Sequence, residues 1–283
     1  MAVQKSSLFT WHCGAYQLTL NRPLVMGIVN VTPDSFSDGG RFIQTAAAIA
    51  HAKQLVQDGA DILDIGGEST RPGATPVPLE EELRRVIPVI EGLCDIGVPL
   101  SIDTYKPAVM LAAIKAGVSI VNDVRALQEP DALEIVANGN VGVCLMHMQG
   151  LPQTMQVAPQ YTNVLQEVMA FLGARRDAAI AAGIDATRIT LDPGFGFGKR
   201  VEDNIQLIQQ LEALQVLGRP LLVGLSRKSI LGAIAGADAT QKLHAGIAAS
   251  VISVMKGAKI VRVHDVKATV DAFKVFNAIE QHH

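Results

Sequence analysis

The feature that most constrains how this chain can fold is a strand-and-helix rhythm that returns eight times. Eight short apolar runs each end in a polar or glycine-rich segment: LVMGIVN at Asn30, ADILDIG at Gly66, PLSID at Asp103, SIVND at Asp123, VGVCLMH at His147, ITLDPG at Gly194, LLVGLS at Ser226 and KIVRVH at His264. Between them lie stretches such as TAAAIAHAKQLVQDGA and NVLQEVMAFLGARRDAAIAAG, whose apolar residues recur at spacings of three and four, as on one face of a helix. The seven steps from Asn30 to His264 cover 234 residues, about 33 per unit, the length of a βαβ repeat. An open doubly wound sheet has fewer strands and gathers its polar signals at one switch point, whereas here polar residues end nearly every strand. The expectation is an α/β fold, a (β/α)8 TIM barrel, with the functional site at the carboxyl ends of the strands.

Ahead of the first unit, SLFTWHCGAYQLTL reads as two short strands turning near Gly14, a β-hairpin that covers the amino-terminal end of the barrel. No linker or low-complexity run interrupts the 283 residues, so they are expected to form one domain, with residues 1–22 as hairpin and 23–283 as barrel. With 24 Lys and Arg against 27 Asp and Glu and no block of like charge, the chain lacks the electrostatic footprint of a nucleic-acid binder. No apolar run is long enough for a signal peptide or a membrane span, which points to the cytoplasm. Cys13, Cys94 and Cys144 are odd in number and far apart, and are read as reduced thiols.

Side chains two apart on a strand share a face, which groups Ser101 with Asp103, Thr190 with Asp192, and Arg262 with His264, while Ile102, Leu191 and Val263 take the other face. Buried ionisable groups need partners, and several converging on one barrel mouth suggest a ligand. Arg262 and His264, ending the last strand, sit where barrels often bind phosphate and would suit a diphosphate; alternatively Arg262 pairs with Asp265 or another loop carboxylate. Asp192 opens DPGFGFGK, whose glycines allow close approach of the backbone to a flat ligand and whose Phe195 and Phe197 either stack on a ring or pack. SRKS brings Lys228 to the barrel mouth, where a neighbouring carboxylate would keep it charged. Two long loops, NVTPDSFSDGG with Phe36 and GGESTRPGATPVP with Arg71, have the composition of closing loops and equally of plain surface excursions.

These motifs resemble the bacterial dihydropteroate synthases, a pterin-binding TIM-barrel family. MGIVNVTPDSFSDGG, DIGGESTRPGA, SIDT, VND, CLMHMQG, LDPGFGFGK, VGLSRKS and RVHDV fall in the family's order from about Leu24 to the last helix. The resemblance implies transfer of a 7,8-dihydropterin-6-ylmethyl group from its diphosphate to 4-aminobenzoate, a step of folate biosynthesis, without a covalent enzyme intermediate. It implies a pterin pocket of Asp103, Asn122, Met146, Asp192, Phe197 and Lys228. A diphosphate end would comprise Asn30, Arg262 and His264, with Mg2+ at Asn30. A 4-aminobenzoate site would comprise Phe36, Thr70, Arg71, Pro72 and Ser226. Asp103, Lys228, Arg262 and His264 are the expected catalytic groups. The alternative on the same fold is a methyltetrahydrofolate–corrinoid methyltransferase, which needs the pterin pocket but not the first-loop motif, Arg262 with His264, or magnesium.

The small residues Ala245, Gly246, Ala248, Ala249 and Ser250 allow close helix packing, either against the barrel or in the homodimer that the family implies. No role is assigned to His282 and His283.

Overall fold

The computed structural model describes residues 9–31, 41–70, 73–150, 155, 159–236 and 242–280, with the backbone alone for 41–43. The described chain opens with an antiparallel hairpin of β1 (Thr10–Cys13) and β2 (Tyr16–Thr19), turned through Gly14 at a φ of 60°. The barrel follows as β3 (Leu24–Asn30), α1 (Arg41–Gln57), β4 (Ile62–Gly66), α2 (Leu79–Glu91), β5 (Leu100–Asp103), α3 (Pro107–Ala116), β6 (Ile120–Asp123) and α4 (Ala132–Asn138). It continues as β7 (Gly142–Met146), α5 (Val164–Ala181), β8 (Ile189–Asp192), α6 (Val201–Gln209), β9 (Leu221–Val223), α7 (Ser229–Ala235), α8 (Lys242–Met255), β10 (Ala258–Val263) and α9 (Val266–Glu280). Strands β3 to β10 are all parallel and close on themselves, with β10 beside β3, as the eightfold rhythm predicts.

Local chemistry sets several boundaries. Pro107 stands at the start of α3, where its missing N–H is not needed, and Gly117 ends that helix at a φ of 111°. The Asn163 side chain caps α5 by accepting from Gln166 N at 3.1 Å. Glu80, Glu81 and Glu82 occupy the first turn of α2, where negative charge is favoured.

The alternation along the strands divides the core in two. Val25, Val29, Leu63, Ile65, Ile102, Val121, Val143, Leu145, Leu191 and Val261 pack outward under the helices in one cluster. The residues between them form a second cluster inside the barrel: Met26, Ile62, Ile120, Cys144, Leu222 and Ile260, joined by Trp11, Cys13 and Leu20 of the hairpin segment. Trp11 is fully buried and donates its indole N–H to Arg188 O at 2.8 Å. The barrel interior is therefore apolar and stoppered at its amino-terminal half. One or two residues further along the same inner faces, the side chains turn polar.

On α8, Gly246, Ala249 and Ser250 are buried against the molecule itself, while Ala245 is half-buried and Ala248 exposed. The apolar side chains left exposed on this side are Ile252 and Met255, with Val275 and Ile279 of α9.

Candidate active site

The carboxyl-terminal layer of the barrel interior is a set of interlocked charges. Strand register aligns Asp64 with Ser101, Asp103 with Asn122, and Met146 with Asp192, so these residues share the inner face of neighbouring strands. Arg262 reaches across from β10. Its Nε donates to Asp64 Oδ2 at 2.5 Å and a terminal nitrogen donates to Asp103 Oδ2 at 2.6 Å. Asn122 Nδ2 donates to the same Asp64 oxygen at 3.0 Å. Asp64 Oδ1, Ser101 Oγ and Asp103 Oδ1 are buried with no protein partner, the mark of a site whose hydrogen bonding is incomplete without further molecules. The alternative pairing of Arg262 with Asp265 does not occur; Arg227 takes Asp265, at 2.5 Å.

Burial dominates the electrostatics. It lifts Asp103 to about 7, with Arg262 opposing the rise and Asp64 adding to it. It also raises Asp192, against the pull of Lys228. Burial disfavours the Arg262 cation as well, but Asp64 and Asp103 outweigh it and hold the guanidinium well above its ordinary value. Lys228 falls to about 8, because burial costs more than the Asp192 carboxylate returns, so the neighbouring acid only partly preserves its charge. Its ammonium donates to Phe195 O and sits 4.5 Å from the centroid of Phe197.

The glycine-rich turn after β8 differs from expectation in what it approaches. A side chain at Gly194 (φ 68°) would strike the carbonyl oxygen of His147, and one at Gly198 (φ 60°) that of Gln149. These glycines thus let the turn press against the chain leaving β7, rather than only opening it to a ligand. Gly196 borders the site against the Lys228 stem, and Gly194 meets it through its N–H to Asp192. Phe195 is fully buried and packs, whereas Phe197 is half-buried under Lys228. Lys199 locks the turn from within. It is 3% exposed and donates to Gly194 O at 2.8 Å and Phe197 O at 3.1 Å, and its ammonium lies 2.9 Å from His147 Nδ1. Burial takes Lys199 down to about 7 and His147 to about 2, so the imidazole is neutral.

Most of the residues marked out in the sequence come to this one mouth. Asp103, Asn122, Met146 and Asp192 are buried at the ends of β5, β6, β7 and β8. Asn30 ends β3, and Arg262 lies on β10. His264 follows that strand, with Nδ1 hydrogen-bonded to Ser226 Oγ at 3.1 Å and its N–H donating to the same oxygen at 3.1 Å. Thr70 lies after β4 on the way to α2, half-buried. Phe36, Arg71 and Pro72, with His282 and His283, lie outside the described residues. Cys144 belongs to the apolar layer beneath the site, where burial pushes its thiol well above the usual range. Two residues of this layer and its supporting turn are not marked by the sequence pattern, Asp64 and Lys199. The alternation that paired Ser101 with Asp103 would have found Asp64, since Ile62, Asp64 and Gly66 share a face; no sequence signal distinguishes Lys199 from a solvated turn lysine.

The carboxyl end of the barrel thus gathers carboxylates, an amide, a lysine and an arginine, and the chain matches the family of pterin binding enzymes over residues 26–264. The chain is 52% identical over 276 residues to the dihydropteroate synthase of Neisseria meningitidis serogroup B, spanning 95% of this chain and 97% of that relative. Among solved structures it is similar to Xanthomonas albilineans dihydropteroate synthase with 4-aminobenzoic acid, at a TM-score of 0.92 and 53% identity over 97% of this chain and 99% of the other. The same enzyme in complex with 7,8-dihydropteroate aligns at a TM-score of 0.88 and 50% identity, covering 96% and 98%. The chain belongs to the dihydropteroate synthase family, within the pterin-binding transferases. The corrinoid methyltransferase alternative receives no support.

Proposed function

We propose that the chain transfers a 7,8-dihydropterin-6-ylmethyl group from its diphosphate to 4-aminobenzoate, giving 7,8-dihydropteroate in folate biosynthesis, and that its residues divide the task by position. The observation that carries this reading is the buried cluster of Asp64, Asp103, Asn122, Asp192 and Arg262 with its unfilled hydrogen-bonding capacity. Asp192 already accepts from Gly194 N through Oδ1 at 2.7 Å, so its other oxygen serves the pterin's amino edge. Asn122 spends an amide N–H on Asp64, which leaves its carbonyl oxygen to accept from the ring. Lys228 donates to the ring carbonyl and N5, and Met146 and Phe197 line the pocket.

The bond to diphosphate oxygen breaks with its electron pair leaving on that oxygen, and the amine lone pair of 4-aminobenzoate forms the new carbon–nitrogen bond, shedding its proton to solvent. Ionised Asp103 favours positive charge on the pterin methylene. Arg262, with one terminal nitrogen not taken by Asp64 or Asp103, and His264 stabilise the departing anion. A neutral aniline nitrogen is already nucleophilic, so no enzyme nucleophile is needed. Phe36, Thr70, Arg71, Pro72 and Ser226 receive the aminobenzoate, for which sulfonamides would compete.

Among the described residues no group of three acidic, histidine or cysteine side chains gathers to hold a metal. A single neutral oxygen donor, Asn30, fits Mg2+, which keeps most of its shell as water and phosphate oxygens. When bound there it supplies charge neutralisation to the diphosphate. The whole chain, residues 1–283, is read as one domain that acts in the cytoplasm on small molecules. No described helix is long and apolar enough to cross a membrane. It pairs as a homodimer, for which Ile252, Met255, Val275 and Ile279 offer an exposed apolar face.

Mixing the protein with both substrates and magnesium tests the reading: absence of dihydropteroate and pyrophosphate sinks it. Asp192→Asn is expected to weaken pterin binding by about 1.5 to 3 kcal/mol, and Arg71→Ala chiefly the use of aminobenzoate. Equal effects of each variant on both substrates would refute the division of labour.

A further inference from the structure

Beside the pocket, the segment that leaves β4 and the one that leaves β5 are held by a shared cation. Lys106, three residues beyond Asp103, donates its ammonium to the carboxylates of Glu68 and Glu82 and, at 2.8 Å, to the carbonyl of Val77. Glu68 in turn accepts from Val77 N at 3.1 Å and from the Tyr105 hydroxyl at 3.2 Å. Glu82, only 1% exposed, accepts from Thr104 Oγ1 at 2.7 Å. Arg85 adds a further tie, donating to Gly67 O at 2.9 Å.

Both ends of the stretch from Glu68 to Val77 are therefore bound to one ammonium. Fully extended, such a stretch could span roughly 30 Å, yet its ends are brought to within two hydrogen bonds of each other. Without the ammonium, the Val77 N–H bond to Glu68 would be left to hold the two ends together, and the residues between them would start from a less fixed direction. A lysine facing two carboxylates is more than solubility requires; two buried acids meet here because each belongs to a different part of the site's frame, one to the segment after β4 and one to α2.

We propose that Lys106, with Glu68 and Glu82, is a positioning residue for the aminobenzoate half of the site, setting where the segment carrying Thr70 begins and ends without touching either substrate. This rests on the assignment of that segment to 4-aminobenzoate given above. The tie shares no ion pair with the Asp64–Arg262–Asp103 set, although the Glu82 charge reaches Asp103 through space, so its loss is expected to fall chiefly on the aminobenzoate side.

Lys106→Met in the full chain, assayed with each substrate varied in turn, tests it. The KM for 4-aminobenzoate is expected to rise by about tenfold or more, while direct binding of the pterin diphosphate without aminobenzoate stays within about twofold; Lys106→Arg restores part of the loss. An unchanged aminobenzoate KM, or equal loss toward both substrates, overturns the proposal. Should Lys106→Met not fold, Glu68→Gln removes one of the two ion pairs and keeps the side chain's length. It is expected to raise the aminobenzoate KM about threefold, and no rise there overturns the proposal equally. A wild-type chain that makes no dihydropteroate fails differently: it removes the functional assignment on which the proposal rests.

Discussion

Arg262 Nε lies 2.5 Å from Oδ2 of Asp64, a side chain with no exposed surface, although the two are 198 positions apart in the chain. Asp64 fixes the guanidinium from below and holds Asn122 with the same oxygen. Asp64→Ala leaves a half-buried arginine with Asp103 as its remaining carboxylate and is expected to cost about 2 to 4 kcal/mol in denaturant unfolding. Asp64→Asn should be milder in stability yet still weaken pterin binding, measured by calorimetry. Unaltered pterin affinity in Asp64→Asn would show that the aspartate supports the barrel alone.

Asp103 carries a pH signature. Burial lifts it to about 7 in the folded chain, so the native state holds a proton between the ordinary carboxylate range and pH 7 that the unfolded chain has released. Stability from this group is accordingly present at low pH and lost as pH rises towards 7, whereas a role for the ionised form makes activity climb over the same window. The acid limb of kcat/KM is expected to show an apparent pKa near 7. Asp103→Asn should lower the rate and abolish that limb; persistence of the limb in the variant would assign it to another group.

Gly194→Ala should be costly. The backbone there has a φ of 68° and the added methyl would meet His147 O. Destabilisation of more than about 1 kcal/mol is expected, read as a fall in Tm, together with weaker pterin binding because Asp192 accepts from Gly194 N.

Trp11→Ala removes the largest side chain of the stopper and its bond to Arg188 O. A loss of about 3 to 5 kcal/mol in unfolding free energy is expected, with substrate KM values of the folded fraction unchanged, since the hairpin lies at the opposite end from the site.

Much of this was legible in the chain itself because a strand has a period of two and a barrel repeats its unit. Runs such as PLSID and ITLDPG expose both the strand and the face that Asp103 and Asp192 occupy. Asp64 is not marked by the strand-end pattern, because it stands inside ILDIG rather than at its end. Lys199 follows three glycines and reads as a solvated turn; its burial depends on the carbonyls of Gly194 and Phe197 and on His147, a contact 52 positions away. The pairing of Lys106 with Glu68 and Glu82 likewise depends on where β4, β5 and α2 meet, which no local pattern encodes.

Among the described residues, Trp11, Cys13 and Leu20 fill the amino-terminal half of the barrel and leave its carboxyl end as the side where ligands can enter. A ligand seated on that apolar floor would have the carboxyl end as its way out, and a second ligand above it would lie across that exit. For a reaction that joins two molecules and expels a third, a barrel filled at one end would turn depth into sequence.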